Sequence, residues 1–291
     1  MLAYIQKIMA IFLALVMNLG IWAPAEMKIE NVPEKNMGAV RVVTFNVRCK
    51  DDLYGSVKVR SQLIVSAIKQ YHPDSFGIQE ATEEWIDIIT EAMSDEYDCV
   101  WQMRSNSLSG EASAVFYLKD KYNLVDSGTI WLSKTPDKVG SKFLLSSFPR
   151  IATWATLENK ETGKIYTHIN THLDHILESV REKQATVLCE KIAQLSESGN
   201  PVVCTGDFNS AEGKKAYNVM ASNMSDSKYI AKVSDTGATY TNYGKNDPDN
   251  EPIDFVFVTN GIQVDTYKII DEKISGMYLS DHAGVCVDLY I

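Results

Sequence analysis

Short apolar, β-rich runs alternate along this chain with stretches of helical periodicity, and the runs stop at polar residues able to do chemistry. Asn46, Glu80, His172, Asp207, Asn209 and His282 each sit at or just beyond the end of such a run. A strand that is apolar throughout must be covered on both faces. A strand–helix–strand rhythm therefore argues for layered α/β packing. In layered folds the strands fix the backbone, and the polar side chains at their ends converge to build sites.

The rhythm can be followed residue by residue. Val40–Phe45 reads as a strand; residues 57–70 then place Val59, Leu63, Ile64, Ala67 and Ile68 at helical spacing. His72-Pro73-Asp74 breaks that helix ahead of a strand at Ser75–Ile78. Thr82 is an N-cap candidate for a helix over 82–93. β-rich stretches follow at 97–103, 112–119 and 123–127, and residues 150–157 and 164–171 pair across the turn-rich ENKETG. An amphipathic helix is expected over 178–197, with further strands at 201–205, 254–258 and 283–289 and a loop over 235–252. No linker or low-complexity tract interrupts this pattern, so one domain is expected over 39–291.

The first 25 residues differ. Lys7 is their only charge, Ile8–Trp22 is almost wholly apolar, and Ala23-Pro24-Ala25 offers small residues around a cleavage point. This is the layout of a secretory signal peptide, and the run is short for a membrane span of about 20 residues. The expectation is an exported protein, periplasmic or extracellular, membrane-anchored if the segment is retained, with 26–38 as a polar linker. Removing residues 1–25 takes the net charge from −10 to −11. A duplex-binding protein usually carries a basic footprint, and no Lys/Arg run exists here. The five cysteines form no CxxC pair, and Cys204 and Cys286 lie in apolar runs, so a disulfide framework is not expected.

The strand-end residues suggest hydrolytic chemistry. Glu80 could coordinate a hard cation, with Asn46 orienting it or a metal-bound water. His172 and Asp174 share the stretch NTHLDH (170–175), and Asp174 is a candidate substrate contact. In Gly206-Asp207-Phe208-Asn209, alternation puts Asp207 and Asn209 on one side and Phe208 in the core. A carboxylate that activates water beside an amide that donates to an oxyanion makes a hydrolytic pair. Asp254 is placed to hold His282 in one tautomer. Ser280 lacks a Gly-x-Ser-x-Gly elbow and is not read as a nucleophile. Each residue also has a plainer reading: Glu80 in a solvated loop, His172 as a structural histidine, the 206–209 stretch as an Asx turn.

Taken in order, TFN (44–46), QE (79–80), NTHLD (170–174), GDFN (206–209), ID (253–254) and SDH (280–282) resemble the endonuclease/exonuclease/phosphatase superfamily over residues 40–291. The resemblance implies a four-layer α/β sandwich, two mixed β-sheets packed face to face with helices outside. It implies a phosphoester hydrolase in which Glu80 binds Mg²⁺ or Mn²⁺, Asn46 supports it and Asp281 touches the ion directly or through water. Asp207 would orient or deprotonate the attacking water, and Asn209 would stabilise the pentacovalent phosphate. His282, oriented by Asp254, would polarise the scissile phosphate, and His172 would bind phosphate or assist the leaving group. GTIWLS (128–133), PRIATWATL (149–157) and VREKQA (180–185) resemble an exported bacterial branch. In that reading Arg150 reaches a substrate phosphate and Trp131 lines the cleft; the plainer reading makes Arg150 a strand-end salt bridge and Trp131 core. The expected substrate is a phosphoester of a small molecule, lipid head group or nucleotide, handled by a monomer with no stable nucleic-acid partner. A secreted nuclease is the alternative.

Overall fold

In the computed structural model, residues 28–29, 31–105 and 110–291 are described; the apolar segment read as a signal peptide lies outside them. The strands are β1 (Val40–Asn46), β2 (Ser75–Ala81), β3 (Tyr97–Val100), β4 (Ala112–Leu118), β5 (Tyr122–Trp131), β6 (Ile151–Asn159), β7 (Ile165–His172), β8 (Val202–Asp207), β9 (Ser225–Asp226), β10 (Ala231–Ser234), β11 (Asp254–Val258), β12 (Gln263–Ile270) and β13 (Gly284–Tyr290). The helices are α1 (Val57–Tyr71), α2 (Glu83–Met93), α3 (Glu178–Leu195) and the short α4 (Lys215–Ala221) and α5 (Ser227–Ile230).

The strands form two mixed sheets, ordered β10-β12-β13-β1-β2-β4-β3 and β5-β6-β7-β8-β11-β9. β1 runs parallel to β2 and antiparallel to β13; β8 runs parallel to β7 and antiparallel to β11. Successive side chains of a strand face opposite ways, so each central strand feeds two cores. Val42 packs between the sheets with Val115, Leu157, Tyr166, Val203 and Val256. Val43 and Phe45 face outward under Leu63, Ile68, Trp85 and Ile89 of α1 and α2. On the other side Ile169, Cys204 and Phe255 lie under Leu188, Ile192 and Met220 of α3 and α4. Helix, sheet, sheet, helix is the four-layer α/β sandwich, and it explains why the central strands read as unbroken apolar runs.

Local signals set the helices. Ser56 caps α1, its side chain accepting from Val59 N at 3.2 Å, and His72 ends the helix in the left-handed region (φ 44°). Thr82 caps α2, with Glu83 and Glu84 at the positive end of the helix dipole. Trp85 is wholly buried; a large apolar side chain so placed contributes roughly 1.5–3 kcal/mol.

Some features differ from the sequence reading. β5 runs longer than the expected 123–127, extended by its pairing with β6 over Tyr122–Trp131. The edge strands β9 and β10 are too short to show a period, and β12 carries a register shift between Val264 and Thr266 that blurs its alternation. The described part of 26–38 has no regular element, yet it is not a free linker. Ile29 packs into the α1–α2 core, Lys35 pairs with Asp74, and Asn36 donates to Asp265. All five cysteines are free, with Cys204 and Cys286 buried. Among the described residues no helix is long and apolar enough to cross a membrane.

Candidate active site

Strand register brings distant residues to one end of the sandwich. Asn46 lies opposite Gln79, His172 opposite Asp207, and Asp254 opposite the same Asp207. β13 is antiparallel to β1, so His282, just ahead of it, falls at the end where β1 finishes. These strand ends open into one cleft of 510 Å³ whose wall includes Glu80, His172, Asp207, Asn209, Asp281 and His282.

The backbone is bent to aim them. Glu80 (φ 60°) and Asn209 (φ 48°) occupy the left-handed region, unusual for residues with a Cβ and typical of functional sites. Glu80 sits in a register shift of the β2–β4 ladder between Ile78 and Ala81; such an irregularity re-aims a side chain. At Gly206 a Cβ would lie 2.2 Å from the Thr171 carbonyl oxygen, so only glycine lets β7 and β8 close up beside Asp207.

A continuous polar chain results. His282 Nδ1 donates to Asp254 Oδ2 at 2.8 Å, and His282 Nε2 lies 3.8 Å from Asp207 Oδ2. Asp207 accepts from Asn209 N at 2.8 Å and from Asn46 Nδ2 at 2.9 Å. Asn46 Nδ2 also reaches Glu80 Oε1 at 3.2 Å, and Glu80 Oε2 accepts from Cys49 N at 2.9 Å. Asn209 Nδ2 meets His172 Nε2 at 2.9 Å.

The electrostatics follow from burial and these partners. Burial pushes the Asp207 carboxyl up to about 7, with Asp254 adding to the push and His282 and Asn209 N–H opposing it. For His282 burial favours the neutral ring, but Asp254, then Asp207 and Asp281, outweigh it and raise the imidazolium to about 10. Burial would raise Glu80, but the Cys49 N–H, His282 and Asn46 hold it below the usual carboxylate range. Burial, with Arg150 and Arg104 nearby, pushes His172 well below its ordinary value, so its Nε2 accepts from Asn209.

The donor set fits a hard divalent cation. Glu80, Asp207 and Asp281 present carboxylates to one cleft, and oxygen-rich sets suit Mg²⁺ or Mn²⁺. Asp207, Asp254 and His282 each have a potential donor atom within 4.8 Å of the others, and Asp254 Oδ1 is buried without a hydrogen-bond partner. Asp281 is raised by burial and by Glu80; carboxylates that resist sharing charge are relieved by a cation.

Asn46 keeps a supporting place beside Glu80, and two other expected positions lie away from the cleft. Asn46 is wholly buried, its Oδ1 accepts from Arg48 N at 3.0 Å, and its amide bridges Glu80 and Asp207, so it braces two carboxylates instead of offering a ligand oxygen. Asp174 does not reach the cleft: it is wholly buried, and its oxygens accept from Ser146 and Ser147 and from the N–H groups of Ser147, Ile176 and Leu177. Trp131 is also turned away, 2% exposed, with Nε1 donating to the Arg104 carbonyl at 2.8 Å. Arg150 does line the cleft and forms no strand-end salt bridge with a described carboxylate.

The sequence reading left out Arg48, Arg104, Glu111, Phe148, His175 and Tyr240, all on the cleft wall. Arg48 Nη1 lies 3.2 Å from Asp281, and Arg104 forms a two-pronged pair with Glu111 at 2.6 and 2.9 Å. Arg48 directly follows the Asn46 stretch and His175 ends NTHLDH, so position offered a signal for these two. Arg104 and Glu111 flank the polar sequence SNSLSG (105–110), which carries no such mark.

The family model described as endonuclease/exonuclease/phosphatase matches residues 43–282. Among solved structures, an endonuclease/exonuclease/phosphatase protein from Bacteroides vulgatus is similar with a TM-score of 0.80 and 33% identity, over 87% of this chain and 99% of that one. A mannosyl-6-phosphatase of Bacteroides thetaiotaomicron is similar with a TM-score of 0.79 and 28% identity, over 87% and 100% of the two chains. Among curated proteins, the CCR4-Not complex 3'-5'-exoribonuclease subunit Ccr4 of Aspergillus niger is 26% identical over 57% of this chain and 32% of its own length. The chain spans between 32% and 42% of the length of the curated relatives it matches. With the fold, the cleft and these likenesses in agreement, the chain belongs to the endonuclease/exonuclease/phosphatase family of hydrolases.

Proposed function

We propose that the chain hydrolyses a phosphoester bond by direct attack of water on phosphorus, in a reaction that depends on a divalent cation. The observation that carries this is the pairing of Asp254 with His282, set against Asp207 in the cleft that Glu80 also lines. Glu80 and Asp281 would hold the ion, which when bound supplies positive charge to the phosphate and to water. His282, kept protonated by Asp254, presents Nε2–H to a phosphate oxygen. Asp207 takes the proton of the attacking water. Asn209, whose amide donates to His172 Nε2 and the Leu173 carbonyl, would turn one N–H from these partners to an equatorial oxygen, and His172 would bind phosphate or assist the leaving group.

The substrate we favour is a small or lipid-linked phosphoester. The net charge of −10 and the absence of a Lys/Arg run disfavour a long polyanion, and the likeness to a mannosyl-6-phosphatase adds sugar phosphates to the class. A nuclease is the second reading, carried by the likeness to the Ccr4 exoribonuclease subunit. We also propose export, from the signal-like residues 1–25; sequencing the N-terminus of the mature protein tests it.

A panel of sugar phosphates, phospholipid head groups, oligonucleotides and plasmid, run with and without EDTA, separates these readings. Metal-dependent release of phosphate or alcohol from the small substrates is expected. Plasmid or oligonucleotide breakdown at low enzyme would favour the nuclease. Hydrolysis of an isotopically labelled, P-chiral phosphorothioate ester in ¹⁸O-water should invert configuration at phosphorus; retention would exclude direct attack by water.

A further inference from the structure

Arg150 is a buried cation that no described carboxylate pairs at contact distance. It is 3% exposed, lies on the cleft wall, and its Nε–H is buried with no hydrogen-bond partner. Among the described residues the one group its guanidinium bonds is His175, whose Nδ1 accepts from Nη2 at 3.2 Å. No described carboxylate lies within 4.0 Å of it. Of the other guanidinium groups on the cleft wall, Arg104 is neutralised by Glu111 and Arg48 pairs with Asp281. A guanidinium has five N–H donors and is not deprotonated. Burying one beside a single imidazole is costly unless something anionic arrives.

The space beside it limits that anion. A recess of 10 Å³, walled by Glu80, Arg104, Glu111, Ser113, Arg150 and His172, adjoins the main cleft. That is room for about one water-sized atom, enough for a terminal phosphate oxygen and too little for an ester substituent. Arginine matches phosphate oxygens two at a time.

We propose that Arg150 makes this site selective for a terminal phosphate, a monoester dianion, over a diester monoanion. The inference rests on the phosphoester reading of the same cleft. A monoester brings one more charged oxygen than a diester; the cation and His282 meet the charge common to both, and Arg150 meets the extra one. Arg150 is thus a specificity residue, touching the phosphate on an oxygen that is not transferred.

The test is isothermal titration of the full chain, loaded with Mg²⁺, with methyl phosphate and with dimethyl phosphate. At about pH 8 the monoester carries two charges and the diester one. Arg150→Met should weaken methyl phosphate at least about tenfold, the usual size of a lost charged hydrogen bond. It should leave dimethyl phosphate within about twofold. Arg150→Lys keeps the charge and should recover part of the preference; it also serves as the folded control if the Met variant melts early. Equal losses on both ligands, or no loss on methyl phosphate, would overturn the proposal. Hydrolysis of p-nitrophenyl phosphate is read separately. A wild type that binds methyl phosphate through Arg150 but hydrolyses no phosphoester keeps the subsite and removes the hydrolase reading.

Discussion

His282 donates from Nδ1 to Asp254 Oδ2 at 2.8 Å, and both residues are buried at the inner end of the cleft. Burial alone would leave the imidazole neutral; Asp254 is the leading influence that keeps it charged. Asp254→Asn should therefore lower the His282 pKa and cost about 100-fold in kcat, the size of a lost electrostatic contact to a transition state. NMR titration of His282 reads the first effect and steady-state kinetics the second. An unchanged His282 pKa in the variant would remove Asp254 from this role.

Asp207→Asn and His282→Ala should each lower kcat at least about 100-fold, as expected for a general base and a phosphate-polarising group. Each side chain has polar partners at the cleft end and little share in the apolar cores, so circular dichroism should report an intact fold. Near-wild-type turnover in either variant would refute the part assigned to it.

Glu80, Asp207 and Asp281 face one cleft; Arg48 pairs with Asp281, but among the described residues no lysine or arginine closes an ion pair on Glu80 or Asp207. Saturating Mg²⁺ or Mn²⁺ should therefore raise the melting temperature of EDTA-treated protein, since a ligand of the native state stabilises it by mass action. Glu80→Gln should shrink that shift. A melting temperature indifferent to divalent ions would count against the cation site whatever the activity shows.

His168 lies wholly buried between the sheets, its ring nitrogens 2.8 Å from Ser75 Oγ and from Thr205 Oγ1. Burial lowers its pKa from 6.5 to about 3. The folded state thus holds His168 neutral while the unfolded chain binds a proton, so stability is present above the unfolded pKa and falls as pH drops below it. Between about pH 6 and 4.5 this one group adds a slope of roughly 1.4 kcal/mol per pH unit, to which His172 adds and which the raised carboxyls of Asp207 and Asp226 oppose. Urea unfolding of the wild type and His168→Asn across that range measures it: the two slopes should differ by roughly 1.4 kcal/mol per pH unit. Equal slopes in the two proteins would mean that His168 is charged or solvated in the fold.

Asp174 gathers the Ser147 side chain and three backbone N–H groups around one carboxylate. Asp174→Ala leaves those donors unsatisfied, at a cost of roughly 1–3 kcal/mol for a buried group, more if several fail to find water. Thermal unfolding should register the loss. Turnover at saturating substrate should stay within a few-fold; a loss as large as that for Asp207→Asn would restore Asp174 to the chemistry.

Much of the site was legible because the strands are covered on both faces. Phe45, Ile78, Ile169 and Cys204 had to be buried, so Asn46, Glu80, His172 and Asp207 had to stand at strand ends. What failed were side-chain directions near the cleft. Trp131 ends β5 and Arg150 directly precedes its partner β6, and both looked equally eligible, yet the indole turns to the Arg104 carbonyl while Arg150 lines the cleft. Asp174 sits two residues from His172, but a turn carries its carboxylate to the Ser146–Ser147 loop.

Period and composition along the chain were enough to set the layers and to mark which polar residues end apolar strands. Which of them share a proton, and which guanidinium lacks a carboxylate, came from pairing across the fold: Asn46 braces Asp207 from 161 positions away, and Glu111 claims Arg104 while no described carboxylate pairs with Arg150. Coulombic coupling and hydrogen bonding act over a few ångströms in space, and separation along the chain carries no record of that distance.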